Sequence, residues 1–144
     1  MELSCKTKYA LLALLELAVT YQTQEPMQIR QIAEKQDISD RYLEQLLATL
    51  RRGGLLKSQR GAKGGYLLAR EPWNVTLLDI VQCLEGSETS HQDSPTFYTP
   101  EQAVVQEVWQ EIDEQMEAQL QTYNLHTLSE QRNKKQQVNL MYYI

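Results

Sequence analysis

A chain of 144 residues suits one ordinary domain, or a small domain with an added helical element. Its formal charge of −5 would argue against a polyanionic partner, yet residues 1–70 hold 11 Lys and Arg against 7 Asp and Glu, while residues 71–144 hold 3 against 12. Two cysteines, Cys5 and Cys83, exclude a disulfide framework and fit reduced thiols in a cytoplasm.

Lys6 and Lys8 precede the apolar run "YALLALLELAV" (9–19), which superficially resembles a secretory leader. Glu16 interrupts it, no small-x-small cleavage site follows, and the run is too short to span a bilayer. Apolar on nearly every side, residues 3–20 are expected to form a helix inside the core. Tyr21–Met27 carries Thr23 and Pro26 and reads as a loop.

In "QIRQIAEKQ" (28–36), Ile29, Ile32 and Ala33 make one buried stripe on a short helix. Ser39 caps a longer one, "DRYLEQLLATLRR" (40–52), whose core face is Tyr42, Leu43, Leu46, Leu47 and Leu50. Gly53-Gly54 supplies the positive φ that ends it, just after Arg51 and Arg52 complement the helix dipole. Two short helices, tightly connected, with a polar outer face on the second, match a helix-turn-helix. That face carries Asp40, Arg41, Glu44, Gln45, Ala48, Thr49 and Arg52, side chains able to meet base edges in a major groove. One amphipathic helix alone is equally well an ordinary solvated surface.

Leu55–Arg60 and Tyr66–Arg70 have strand character, and Gly61–Gly65 form the turn between them. A phosphate cradle would run from a strand into a helix and close with Gly-Lys-Ser/Thr; this loop does neither. A hairpin with a cationic, glycine-rich tip directly after a helix-turn-helix is a wing, with Arg60 and Lys63 able to reach phosphates or a narrow minor groove.

Residues 76–85 read as a further helix capped by Thr76, and 86–100 as a polar, proline-bearing loop. From Glu101 to Tyr123 one long helix repeats Val104, Val108, Ile112, Met116 and Leu120 every four residues, flanked by Val105, Trp109 and Tyr123. A long helix with one narrow seam and a face rich in Glu and Gln packs against a partner helix. Thr127-x-x-Glu130 is expected to cap a last short helix, followed by the apolar end "LMYYI" (140–144). The expected organisation is a winged domain over 1–86, a loop over 87–100, and a dimerisation helix with tail over 101–144. The fold class is mainly α with a small β-hairpin wing.

"MELSCKTKYALLALLELA", "QIAEKQDISDRYLEQLLATLRRGGLLKSQRGAKGGYLLAR" and "VTLLDIVQCLEG" together resemble the Rrf-type, IscR-like transcription regulators of bacteria, nearly continuously over residues 1–86. The specific combination is Tyr42-Leu43-Glu44-Gln45-Leu46 followed by Arg60-Gly61-x-x-Gly64-Gly65-Tyr66. The resemblance implies a winged-helix homodimer on a partly palindromic operator of double-stranded DNA, with the long helix forming the dimer. It places Ser39, Arg41, Glu44 and Gln45 where the family reads or supports the major groove, and Arg60 where the wing enters the minor groove. Thr49, Arg52, Lys57 and Lys63 complete the expected DNA-binding set. Asp37 departs from the glycine that relatives often carry in the turn, but Asp tolerates left-handed geometry.

Many members of that family ligate an iron–sulfur cluster through three cysteines in or near the loop before the long helix. Here that loop has none, and cluster ligation usually needs four protein ligands. Only Cys5, Cys83 and His91 are candidates, which could be assembled across a dimer. Cys83 sits where a small buried hydrophobe is expected and His91 lies in a polar loop, so the expectation is no cofactor, with an iron–sulfur cluster the less favoured alternative. A second reading keeps the winged fold but acts on a protein partner through the acidic C-terminal half. The cations Arg51, Arg52, Lys57, Arg60 and Lys63, gathered in one stretch, favour DNA. An enzyme is disfavoured because no nucleophile–base constellation is present.

Overall fold

A computed structural model of the chain describes residues 3–86 and 99–142. In chain order it contains α1 (Cys5–Val19), α2 (Ile29–Gln36), α3 (Asp40–Arg52), β1 (Leu56–Gln59), β2 (Gly65–Leu68), a 3₁₀ turn (Pro72–Asn74), α4 (Leu77–Glu85), α5 (Pro100–Thr122) and α6 (Leu125–Tyr142). The fold is mainly helical with one antiparallel hairpin, in the register Leu56↔Leu68 to Gln59↔Gly65. Both strands are shorter than the apolar runs that announce them. Ala69 N–H still donates to Leu55 carbonyl, but Arg70 then turns away to meet Asp79 at 3.7 Å.

α1 begins where Ser4 Oγ accepts from Thr7 N–H, and it buries Ala10, Ala13, Leu14 and Leu17. These pack with Ile32 and Ala33 of α2, with Leu43, Leu46, Leu47 and Leu50 of α3, and with Val75, Ile80 and Leu84. Each such leucine removed from water contributes about 1.5–3 kcal/mol, so the α3 stripe fixes that helix firmly on α1. Glu16 lies inside this layer at 4% exposure, accepting from Gln36 Nε2 at 2.7 Å and facing Lys35 Nζ at 3.5 Å. The residue that breaks the leader-like pattern thus ties α1 to the end of α2.

Three features differ from expectation. Gly53 is right-handed, and Gly54 alone supplies the positive φ, at 81°. The last helix is 18 residues rather than short, and Asn124, not Thr127, caps it: Asn124 Oδ1 accepts from Thr127 N–H at 2.9 Å. Asn124 captures that role because its backbone already bridges Thr76. Finally, Leu125 is fully buried in the winged core, with its N–H donating to Val75 carbonyl and Leu77 N–H donating to Tyr123 carbonyl. α6 packs from there against α1 and the 3₁₀ turn, and α5 packs against α4. Among the described residues, no helix is long and apolar enough to cross a membrane.

Candidate nucleic-acid interface

The turn between α2 and α3 is built as its sequence allows. Asp37 adopts φ 53° and ψ 52°, its N–H reaching Ala33 carbonyl, and Ile38 tucks into the core one residue later. Ser39 then caps α3, its Oγ accepting from Tyr42 N–H at 3.4 Å. Tyr42 meets Tyr9 of α1 edge-to-face at 5.7 Å, which seats the start of α3 on the body. The outcome is that Ser39, Asp40, Arg41, Glu44 and Gln45 all face solvent from the first two turns.

The far end of α3 is more occupied. Thr49 is half-buried; its hydroxyl donates to Gln45 carbonyl at 3.0 Å and accepts from Arg52 Nη2 at 3.3 Å. Arg51 Nη1 donates to Ser58 Oγ at 3.3 Å, joining α3 to β1. Arg52 and Thr49 therefore act first on each other, which leaves the opening turns of α3 as its freely presented part.

The wing lies beside those turns. Gly64 N–H donates to Gly61 carbonyl at 2.9 Å, closing the tip. Tyr66 and Met27 exchange both backbone hydrogen bonds, so the loop before α2 adds a one-residue bridge to the outer edge of β2. This approach requires glycine at 65: a Cβ there would stand 2.5 Å from Met27 carbonyl oxygen, and φ is 152°. An open cleft of ≈ 470 Å³ separates wing from helices, with Arg30, Asp40 and Glu44 on one side and Gln59, Gly61 and Tyr66 on the other.

The cations divide by partner. Lys6 donates to Leu84 carbonyl, Lys8 lies over Tyr9, Arg30 pairs with Glu34, Lys35 with Glu16, and Arg70 with Asp79. In residues 3–86, Arg41, Lys57, Arg60 and Lys63 are exposed and have no partner among the described residues. These four stand at the start of α3 and along the wing. Exposed cations that are unpaired among the described residues, at the start of α3 and along the wing, are what a polyanion site requires.

On α5 the expected seam is uncovered. Val104, Val108, Trp109 and Ile112 are exposed, Met116 and Leu120 are half-buried, and no residue of this helix is buried. Although α5 packs against α4, no part of this stripe is fully buried among the described residues.

Cys5 is exposed and Cys83 half-buried, its Sγ donating to Thr49 carbonyl at 3.6 Å. Burial raises the Cys83 thiol pKa, against smaller opposing effects of Arg70 and Lys6. A Cβ on Gly53 would strike this sulfur, so the thiol fills the contact between α3 and α4. The described residues bring together no group of three or more His, Cys, Asp or Glu able to hold a metal. His91 lies outside the described residues.

A helix-turn-helix followed by a cationic hairpin defines a winged-helix DNA-binding regulator. The sequence profile described as "Rrf2: Iron-dependent Transcriptional regulator" matches residues 3–131. The chain belongs to the Rrf2 family of transcriptional regulators. It is 33% identical over 142 residues to the HTH-type transcriptional regulator CymR of Bacillus subtilis, covering 99% of each protein. Among solved structures it resembles IscR of T. potens, with TM-score 0.79, 36% identity and coverage of 94% and 91% of the two chains. It likewise resembles B. subtilis CymR, described as a global cysteine regulator, with TM-score 0.75, 35% identity and coverage of 90% and 97%. These relatives are transcriptional regulators rather than enzymes.

Proposed function

We propose that this regulator works as a cytoplasmic homodimer that reads a specific, partly palindromic operator. The first turns of α3 enter the major groove, where Arg41, Glu44 and Gln45 meet base edges and Ser39 supports them. Arg60 enters the neighbouring minor groove, and Lys57 and Lys63 hold phosphates; Thr49 and Arg52 approach the backbone from the far end of α3. Residues 1–86 are the DNA-binding unit, 87–100 a connection, and 101–144 the dimerisation helix and tail. Val104, Val108, Trp109, Ile112, Met116 and Leu120 meet their copies in the second subunit.

The observation that carries this reading is the set of four exposed cations, at the start of α3 and along the wing, that have no partner among the described residues. A protein adapter working through the acidic half gains nothing from leaving those four charges uncompensated. The test is selection of bound sequences from random duplex DNA, followed by titration at two salt concentrations. A selected palindromic motif with steep salt dependence supports the proposal; recovery of random sequence overturns it.

A further inference from the structure

A second concavity lies away from the DNA face. The end of α1 and the loop after it contribute Tyr21, the 3₁₀ turn contributes Trp73, and α6 contributes His126, Ser129 and Arg132. The enclosed space is ≈ 280 Å³, just under the range of about 300–1,000 Å³ usual for organic ligands, and hence suited to one or two rings.

Its lining is chemically specific. Trp73 is 55% exposed yet held in place, edge-to-face with Tyr21 at 6.2 Å and with His126 at 6.4 Å. Three aromatic rings locked in this way form a preorganised wall for a planar molecule. Ser129 Oγ is buried without a hydrogen-bond partner among the described residues. That oxygen has almost no accessible surface, so a guest would be held by the rings and by Arg132 rather than by this hydroxyl. The charges also sort themselves. Glu130 Oε1 stands 3.2 Å from His126 Nε2, whereas half-buried Arg132 has no partner among the described residues. One unmatched guanidinium suits one planar carboxylate, which it meets through two parallel hydrogen bonds. A phosphate dianion would exceed that single charge, and Glu130 on the same wall opposes it more strongly than it opposes a monoanion.

We propose that this cavity binds a small aromatic carboxylate, with its ring against Trp73 and Tyr21 and its carboxylate on Arg132. Its walls join the segment leaving β2, which belongs to the wing, to α6, which follows the seam helix. The ligand therefore adjusts wing against seam, and this second part rests on the DNA-binding dimer proposed above.

The test is calorimetric titration of the full chain with benzoate and with indole-3-acetate, using benzamide as the uncharged control. Saturable binding of at least one carboxylate is expected, at least tenfold weaker for benzamide and for Arg132→Ala. Trp73→Ala is expected to lose binding while Trp73→Phe keeps it, which separates stacking from folding. Absence of saturable binding by both carboxylates, or binding unchanged in Arg132→Ala, overturns the site. Operator affinity measured with saturating ligand is expected to shift at least threefold. Ligand binding with unchanged operator affinity overturns the regulatory part. A protein that binds the carboxylate but no DNA would sink the DNA reading and leave the cavity assignment standing.

Discussion

Met27 and Tyr66 exchange both of their backbone hydrogen bonds, at 3.0 and 2.8 Å, although 38 positions separate them in the chain. The wing is thereby fastened to the segment that launches the helix-turn-helix, so its tip and α3 hold one relative position. Gly65 makes the contact sterically feasible. Gly65→Ala is expected to cost about 1–3 kcal/mol through backbone strain and the displaced Met27 carbonyl. Urea unfolding beside wild type measures this; equal stability would mean that the anchor yields freely.

Arg60 and Lys63 are expected to fail differently. Arg60→Ala should weaken specific binding by about 1–3 kcal/mol, as for an arginine that carries specificity. Lys63→Ala should weaken all sequences alike and reduce the salt slope by about one unit. Fluorescence anisotropy across a salt series reads both. Wild-type operator affinity in Arg60→Ala would refute the wing assignment.

Glu44 faces the same cleft as the wing, where a carboxylate near phosphates is repulsive unless it accepts from cytosine. Glu44→Ala is therefore expected to relax base preference more than it lowers affinity. Binding-site selection with the variant is the measurement, and an unchanged motif would count against this role.

Ile112 is 39% exposed in the single chain, the lowest exposure among the large exposed apolar residues of α5. In the proposed dimer, Ile112→Asp buries an unpaired carboxylate twice, which should dissociate the subunits. Operator affinity should fall with no change in any DNA-contacting residue. Sedimentation of variant and wild type decides; a monomeric wild type would remove the seam.

Because Cys83 is packed against Thr49 and protonated beyond the usual range, iodoacetamide at neutral pH should label exposed Cys5 well before Cys83. DNA binding should persist in reduced, chelator-treated protein. Mass spectrometry of the labelled chain and visible absorbance of anaerobically purified protein check the two statements. A coloured protein whose operator affinity follows its iron content would reverse the reading of Cys5, Cys83 and His91.

The helix-turn-helix was legible because its signals are local. Ser39 as cap, the leucine stripe of α3 and the left-handed tolerance of Asp37 each lie within a few residues of what they determine. Long-range pairings left no such mark. The Met27–Tyr66 bridge is a single rung inside a proline-bearing loop, and a lone pairing has no periodicity to detect. Asn124 takes the cap from Thr127 only because the chain at 123–125 is already bonded to 75–77. Composition pointed to an excess of cations in the first half of the chain. That Arg51 and Arg52 are engaged by Ser58 and Thr49, while Arg41, Lys57, Arg60 and Lys63 have no partner among the described residues, depends on how α3 and the hairpin meet.

The burial of Leu125 has a mechanical meaning. Just beyond the last turn of α5, the chain is bolted into the winged body by Leu125 and by the bonds of 123 and 125 to 77 and 75. In the proposed dimer, each reading head is then welded to the end of a stiff rod rather than hung from a flexible tether. Such an assembly is a caliper: the gap between its two jaws is set by the length and crossing of the rods. An operator with one base pair added between its half-sites would be measured and found too wide, even with every contacted base in place.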